Sequence, residues 1–263
     1  MQSLGYFLRV IFAEKNDMSI LDTIITIMSY VKQPKKRRLI KEAFKLRHKK
    51  GIEIGGPSGF FSLRGGFPVY LFAEKIDNVN YGSTTVFGNY EQGETFNYYK
   101  NKIGNQFIAE AIDLRSIKNN SYDFLLSSHS LEHTANPIKA LKEWRRVIKS
   151  NGKLVLILPD KRYTFDLERE YTSFSHLLDD YNEDTSENDI THIEEILSKY
   201  DEIKGKVPIE EYKKLLSNNY INRCAHHHVF NQELIRNSLE FVGFNVESQY
   251  EVDPFHLITI ATK

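Results

Sequence analysis

Short apolar runs, separated by glycine turns and amphipathic patterns, organise most of this chain. Runs of roughly four to eight apolar or alternating residues predict strands. They lie at Gly51–Ile54, Val69–Ile76, Phe107–Leu114, Tyr122–Ser127, Lys153–Leu158, Phe244–Tyr250 and Phe255–Ala261. Apolar residues three and four positions apart predict helices over Pro137–Ser150 and Gln232–Phe241. Strands therefore alternate with helices, which is the order of an α/β domain.

The same patterns divide the chain into four segments. Residues 1–50 have helical spacing and predict an N-terminal helical extension, whose apolar face is a core surface or a contact for a homodimer. Residues 51–160 form the first part of the predicted sheet, and residues 226–263 return to it. Residues 161–225 interrupt the sheet with helical patterns rich in Asp, Glu, Tyr and Asn, which predicts an inserted cap over a substrate.

Composition excludes several classes of protein. Cys224 is the only cysteine, which rules out internal disulfides, multi-cysteine zinc sites and iron–sulfur clusters. The 35 basic side chains balance the 35 acidic ones, so no overall field draws the protein to nucleic acid or to a membrane. Arg9 interrupts the first apolar run, and Ile20–Val31 is shorter than the roughly 20 residues that span a bilayer. A cytoplasmic location without membrane attachment is expected.

A basic run at Lys32–Lys50 has two interpretations. It contains ten Lys and Arg residues against the single acid Glu42, which would suit binding to RNA phosphates. Alternatively it is a solvated helix with apolar residues, among them Leu39 and Phe44, turned inward. We favour the helix, because Phe44 is the only Phe, Tyr or Trp in the run and cannot form a stacking platform alone.

The segment Gly51–Gly59 reads Gly-Ile-Glu-Ile-Gly-Gly-Pro-Ser-Gly, a strand that runs into a glycine turn. Counting from Gly55, Pro57 and Phe60 occupy the positions where a dinucleotide fingerprint needs glycine, and a P-loop fails there as well. What remains is an acid at Glu53 with glycines at 55 and 59. This spacing resembles motif I of the class I S-adenosylmethionine-dependent methyltransferases, with Pro57 where the second glycine usually stands.

A second block strengthens the resemblance. Ser130-Leu-Glu-His133, the helix beginning at Pro137, the Asn151-Gly152 stop and the strand Lys153–Leu158 resemble the fourth-to-fifth-strand region of the same family. Together the two blocks cover about 110 residues. The resemblance implies a Rossmann-like, doubly wound, mostly parallel sheet of seven strands. It also implies S-adenosylmethionine as cofactor and S-adenosylhomocysteine as product.

The resemblance also implies which residues hold the cofactor. Asp77 lies 18 residues after Gly59, near the distance at which an acid accepts hydrogen bonds from ribose hydroxyls, with Glu74 in reserve. In the family, the acid at Asp113 would meet the adenine amino group and Leu114 would pack on the ring. The full predicted cofactor set is Glu53, Gly55, Gly56, Pro57, Ser58, Gly59, Asp77, Asp113, Leu114, Ser128 and His129.

Methyl transfer from this cofactor is an in-line displacement, so the protein mainly binds and aligns the reactants. A hydroxyl acceptor also needs a base. His129 ranks first for its place after the fourth strand, although it could instead hold the methionine moiety, and Asp160 and His228 are further catalytic candidates. The predicted substrate residues are Arg162, Tyr163, His226, His227 and His228. His226 and His228 could share one face as metal ligands, but spacing fixes no third ligand, and we assign no metal.

The predicted activity is methylation of an oxygen or nitrogen of a small polar metabolite. Resemblance to bacterial enzymes encoded with surface-polysaccharide genes suggests a capsule precursor. One alternative is an RNA methyltransferase that uses Lys32–Lys50, although the acidic insertion argues against RNA lying over the pocket. Another is a non-catalytic partner protein of the same fold, made conceivable by Pro57 and by Phe60 and Phe61.

Overall fold

The computed structural model of this protein describes residue 22 and residues 36–85 and 88–263. The predicted helical patterns before residue 36, together with the homodimer contact assigned to them, lie outside these described residues. So does the start of the basic run at Lys32–Lys50.

A sheet of eight strands forms the centre of the protein. Its strands occur in the order β5-β6-β2-β1-β7-β8-β10-β9. Their bounds, together with those of the separate hairpin β3–β4, are β1 Lys50–Ile54, β2 Lys75–Asn80, β3 Thr84–Thr85, β4 Gly88–Asn89, β5 Gly93–Tyr99, β6 Lys102–Ile108, β7 Tyr122–Ser128, β8 Ile148–Pro159, β9 Asn245–Val252 and β10 His256–Thr262.

Strand direction shows where a ligand would bind. β6, β2, β1, β7 and β8 run parallel, whereas β10, β9 and β5 are antiparallel to their neighbours. The chain builds outward from β1 to β2 and β6 on one side and to β7 and β8 on the other. A doubly wound sheet binds its ligand where the strand order reverses, at the carboxyl ends of the strands, which here is the end of β1 beside β7.

The mostly parallel α/β sheet is confirmed, but the predicted number of seven strands is wrong. The extra strand is β5, which pairs antiparallel with β6 across the tight turn at Lys100 and Asn101. Its Phe96 and Tyr98 are buried while their neighbours are more exposed, the alternation expected of a half-buried edge strand. β6 ends at Ile108, so the predicted third strand at Phe107–Leu114 was placed too far along the chain.

The predicted second strand also needs correction. Val69–Phe72 is a short helix, and β2 begins only at Lys75. All four residues of this helix are buried, so the apolar run fits a buried helix as well as a strand. Asp77 therefore lies within β2, and Asn80 ends the strand.

Helices cover both faces of the sheet. The helices that flank it are α1 Arg37–Phe44, α2 Val69–Phe72, α3 Pro137–Val147 and α9 Gln232–Phe241. One apolar core contains residues of α3 and α9, and the other contains residues of α1 and α2. Neighbouring residues of β7 and β8 alternate between the two cores, because successive side chains of a strand point to opposite faces. In α1, Leu39, Ile40, Ala43 and Phe44 are buried, as the helix interpretation of the basic run requires.

The residues between β8 and the return to the sheet form a helical cap. Its helices are α4 Phe174–Asn182, α5 Ile193–Ser198, α6 Glu202–Gly205, α7 Ile209–Leu216 and α8 Asn219–Asn222. Ile196, Tyr212, Leu216 and Ala225 give the cap a small apolar core of its own. Among the helices that the structure describes, none combines the length and the apolar character needed to cross a bilayer.

Candidate active site

A cavity of about 570 Å³ lies at the carboxyl ends of the parallel strands. The turn after β1, the end of β2, the segment after β6 and the segment after β7 line it, and two cap residues complete its wall. The lining residues are Ile54, Gly55, Gly56, Pro57, Ser58, Val79, Asn80, Tyr81, Tyr90, Ala109, Glu110, Ala111, Ser128, His129, Ser130, His133, Thr134, Glu187 and Arg223.

The glycine turn is shaped by two positions that cannot hold a side chain. Gly55 has a φ of +79°, and a Cβ there would lie 2.4 Å from the Ser130 hydroxyl. A Cβ on Gly56 would lie 2.4 Å from the carboxyl carbon of Glu53. The Gly56 backbone N–H donates to Asn78 Oδ1 at 2.9 Å, which anchors the turn to β2. The turn therefore leaves backbone exposed to the cavity, as close approach of a ligand requires.

Glu53 supports the turn from below and does not line the cavity. It is fully buried, and it accepts hydrogen bonds from the Ser58 backbone N–H at 2.9 Å and from the Tyr70 hydroxyl at 2.5 Å. Burial raises the pKa of Glu53 to about 8, although these two hydrogen bonds oppose the shift. Gly59, the last residue of the motif, starts a short 3-10 turn and also lies outside the cavity wall.

Asp77, the predicted ribose partner, is turned away from the cavity. Its carboxylate accepts hydrogen bonds from the Tyr122 hydroxyl at 2.8 Å and from the Asn105 backbone N–H at 2.7 Å, so it joins strands of the sheet. The residue at the end of β2 that lines the cavity is Asn80, whose amide also lies 3.3 Å from the Gly56 carbonyl oxygen. The strand continues three residues beyond the predicted end at Asp77, so its position does not favour the predicted ribose role of Asp77.

Asp113 and Leu114 are also absent from the cavity wall. Asp113 is partly exposed and pairs with Arg115 at 2.6 Å. Leu114 is fully buried in the core against α3. Because β6 ends at Ile108, the residues that reach the cavity from this side are Ala109 to Ala111. The roles expected of Asp113 and Leu114 toward adenine therefore stay predictions that the cavity wall does not favour.

Ser128 and His129 line the cavity as predicted, directly after β7. His129 has a φ of +53°, which turns its ring out of the strand direction. Its Nε2 lies 3.0 Å from His256 Nδ1, and its Nδ1 lies 3.4 Å from Glu132 Oε1. Burial, followed by the proximity of His129, lowers the pKa of His256 to about 4. Both nitrogens of His129 therefore already face polar partners.

Glu132, His133 and His226 form a buried group behind this wall. Glu132 is fully buried; its Oε1 faces His129 at 3.4 Å, and its Oε2 has no hydrogen-bond partner among the described residues. Despite burial, the surrounding histidines lower its pKa, so it is held as a carboxylate. His133 Nδ1 donates to the Ala225 carbonyl oxygen at 3.0 Å, and its Nε2 lies 3.9 Å from Glu132. Burial and then His226 lower the pKa of His133 to about 4, so this cavity-lining imidazole is neutral at pH 7.

The residues after β8 do not reach the cavity. Asp160 is buried and pairs with Arg162, which also pairs with Glu251 at 2.8 Å. Tyr163 is 57% exposed. An arginine held by two carboxylates is not available to clamp a substrate anion, so the structure argues against Asp160 as base and Arg162 and Tyr163 as substrate residues.

The three consecutive histidines are buried behind the cap and do not line the cavity. His226 Nδ1 lies 2.5 Å from Asp166 Oδ2, and the His226 ring packs edge-on against the His133 ring with centroids 4.7 Å apart. His227 faces Asp189 at 3.5 Å, and His228 faces Asp180 at 3.1 Å. The predicted catalytic role of His228 and the substrate roles of all three are therefore not supported by their positions.

Sequence reasoning missed the part of the wall that the cap provides. Arg223 is buried and pairs with Glu187 at 2.5 Å and with Glu110 at 2.6 Å. Glu110 follows β6, so this arginine joins the cap to the sheet across the cavity. No local motif marks Arg223 in the sequence, since its partners lie 36 and 113 residues away.

One family model matches this chain, and several solved structures have a similar fold. Residues 28–249 match the family model described as a methyltransferase domain. A SAM-dependent methyltransferase from Mesorhizobium loti is 13% identical, with 88% of this chain and 96% of that chain covered and a TM-score of 0.50. One from Aquifex aeolicus is 16% identical, with 92% and 97% covered and a TM-score of 0.45. Sequence identities this low indicate a shared fold and nothing about function. Among curated proteins, none matches this sequence.

Proposed function

Because this chain belongs to the class I S-adenosylmethionine-dependent methyltransferases, we propose that it methylates an oxygen or nitrogen of a small polar metabolite. The observation that supports this proposal is a cavity lined by both the glycine turn and the cap. Gly55 and Gly56 lie at one side of this cavity, and Glu187 and Arg223 come from the cap. Cofactor and acceptor would therefore share a single cavity, as transfer between them requires.

The residues of the cavity fit the cofactor. S-adenosylmethionine supplies a methyl group that its sulfonium centre makes ready for transfer. The volume of about 570 Å³ is within the range of small-molecule sites. Gly55 and Gly56 line the cavity, and a side chain at either would collide with Ser130 or Glu53, so the turn keeps its backbone bare there. Asn80 offers an amide to ribose hydroxyls, and the segment at Ala109 to Ala111 lies where the adenine would be recognised.

The acceptor side of the cavity carries polar side chains. His129, His133, Thr134, Glu187 and Arg223 contribute polar groups there. Arg223 lies between the carboxylates of Glu187 and Glu110, which also line the cavity, so this wall presents charged and hydrogen-bonding groups. A wall of this kind favours a small polar acceptor over a polymer.

His133 is the best-placed proton acceptor in our proposal. Its Nδ1 is committed to the Ala225 carbonyl, so the neutral ring carries its lone pair on Nε2, near Glu132. The buried carboxylate of Glu132 would stabilise the imidazolium that forms when His133 takes a proton. His129 ranked first as the base from the sequence, but its two ring nitrogens face Glu132 and His256. We propose that these contacts hold the cavity wall in place.

The proposal is tested first by binding and then by turnover. Calorimetry with S-adenosylmethionine should show binding by the parent, about tenfold or more weaker binding by Asn80→Ala, and unchanged binding by Asp77→Ala. Turnover is then followed as S-adenosylhomocysteine formed with a panel of hydroxylated and amino metabolites. With the acceptor found, His133→Gln should lower kcat by about 10²- to 10⁴-fold. An equal loss only in His129→Asn would move the base to His129.

A more specific proposal is that the acceptor is a sugar or sugar nucleotide of a surface polysaccharide, made in the cytoplasm. Its support is the resemblance of the motif blocks, so sugar nucleotides belong in the panel beside amines and phenols. If the parent binds no S-adenosylmethionine, the non-catalytic partner protein replaces this proposal.

A further inference from the structure

Four histidines gather where the cap meets the segment that returns to the sheet, apart from the cavity. One ring nitrogen from each of His176, His192 and His228 lies within 4.8 Å of the others. The ring centroids are 5.0 to 5.5 Å apart for the three pairs. His227 adjoins this group and forms a second trio with Asp189 and His192. None of these residues lines the cavity described above.

From this arrangement we propose a divalent metal site, with zinc as its ion, in which His176, His192 and His228 are ligands and Asp180 supplies a carboxylate. The three imidazoles and one carboxylate form a ligand set typical of zinc. The site is independent of methyl transfer and goes beyond the proposed function.

The separations of the polar atoms suit an ion between them. His176 Nε2 lies 3.2 Å from His192 Nε2, His228 Nε2 lies 3.1 Å from Asp180 Oδ2, and His176 Nε2 lies 3.6 Å from the same oxygen. A tetrahedral zinc ion with ligands at about 2.0–2.1 Å would hold their atoms about 3.3 Å apart. The cluster therefore needs little rearrangement to enclose the ion.

The carboxylate is itself fixed in place. Asp180 lies one helical turn after His176 on α4, so both side chains occupy the same face. Its Oδ1 accepts a hydrogen bond from the Thr185 hydroxyl at 3.2 Å, which leaves Oδ2 directed at the histidines. A carboxylate fixed in this way is positioned to bind the ion together with the histidines.

The ion would fasten three separate segments. His176 comes from α4, His192 immediately precedes α5, and His228 belongs to the segment that returns to the sheet. Glu187 lies between the first two segments and lines the cavity. A bound ion would therefore hold in place the stretch of cap that carries Glu187, which makes the role structural.

The test uses the untagged full chain and zinc itself. After dialysis against a chelator and then zinc, elemental analysis should find one zinc per chain in the parent. His176→Gln and His192→Gln should each weaken zinc binding by about 100-fold. His48→Asn is the matched control, because it removes an exposed imidazole far along the chain at a positive φ that Asn tolerates, and it should bind zinc as the parent does. Circular dichroism confirms that each variant is folded.

A second readout separates this site from its neighbours. Zinc should raise the Tm of the parent and leave that of His176→Gln unchanged, and cobalt in place of zinc should give the visible absorption of a tetrahedral site. Absence of zinc uptake by the parent would overturn the proposal. Loss of zinc in His226→Gln with retention in His176→Gln and His192→Gln would also overturn it, and would assign the ion to the group around Glu132.

Discussion

At the scale of single residues, the candidate site depends on a glycine turn without side chains. It also depends on buried carboxyl groups that accept hydrogen bonds from neighbouring residues. The sequence predicted which residues form the glycine turn, because the spacing of Glu53 and Gly55 is local information. It could not predict that Asp77 would be committed to Tyr122 and Asn105, since those partners come from other strands. A carboxylate near a strand end looks the same in sequence whether it faces ligand or sheet.

The two ends of the glycine motif should behave differently. Gly55→Ala places a Cβ at a φ of +79° and 2.4 Å from the Ser130 hydroxyl, so we expect the affinity for S-adenosylmethionine to fall about tenfold or more. In Gly59→Ala the new Cβ has no atom within 4 Å, and affinity should stay as in the parent. Calorimetry on both variants, with Tm measured alongside, checks this. Equal losses in the two would mean that the turn is not shaped as described.

Glu53 should make stability depend on pH. The folded protein keeps its proton up to a pKa of about 8, whereas the ordinary value in an unfolded chain is 4.5. Between these values the folded state binds more protons, so the contribution of Glu53 to stability falls as pH rises, by about 1.4 kcal/mol per pH unit. In Glu53→Gln this component should disappear.

Urea denaturation of parent and Glu53→Gln at pH 5, 6, 7 and 8 compares the two slopes, with all other titrating groups in common. If the free energy of unfolding changes with pH in the same way for both proteins, Glu53 does not carry the raised pKa that its burial implies.

At the scale of elements, periodicity predicted the central strands and the helices α3 and α9 well, because each has a consistent pattern over its own length. The errors lie at Val69–Phe72 and Gly93–Tyr99. The first is apolar at every position, which a buried helix and a buried strand share. The second is an edge strand whose pairing with β6 depends on a turn and not on hydrophobicity. The cap wall could not be predicted at all, since Arg223 finds its partners only in the folded chain.

The ion pairs of Arg223 should matter to the attachment of the cap. Arg223→Ala leaves Glu187, which is 7% exposed, without its cation, and we expect the free energy of unfolding to fall by about 3 kcal/mol. Arg236→Ala is the control, because its pair with Glu240 is about half exposed and worth at most about 0.5 kcal/mol. Urea denaturation of both variants measures the difference. Comparable losses would show that the buried position of Arg223 is unimportant.

At the scale of the whole molecule, charge argues against nucleic acid as the substrate. The chain carries 35 basic and 35 acidic residues, and the basic helix α1 packs Leu39, Ile40, Ala43 and Phe44 into the core. The cap contributes to the cavity wall, and its residues 161–225 carry 15 acidic against 9 basic side chains. A long polyanion would have to cross this acidic surface to reach the turn.

We therefore expect no salt-dependent binding to RNA. Fluorescence anisotropy with a labelled single strand should show little change at low salt, and reversal of charge in Lys41→Glu should leave that result as it is. Tight binding that weakens steeply with salt and is lost in Lys41→Glu would restore the RNA methyltransferase alternative.

The contacts that join cap and sheet have a consequence for exchange with solvent. The Tyr81 hydroxyl donates to the Ile221 carbonyl oxygen at 3.0 Å, and Arg223 holds Glu110 from the other side. Tyr81, Glu110 and Arg223 all line the cavity, so these bonds form a latch between its two lips. Any parting of cap and sheet must break both contacts. If the spent cofactor leaves by that route, the lifetime of two polar contacts, and not the speed of methyl transfer, sets the tempo of the enzyme.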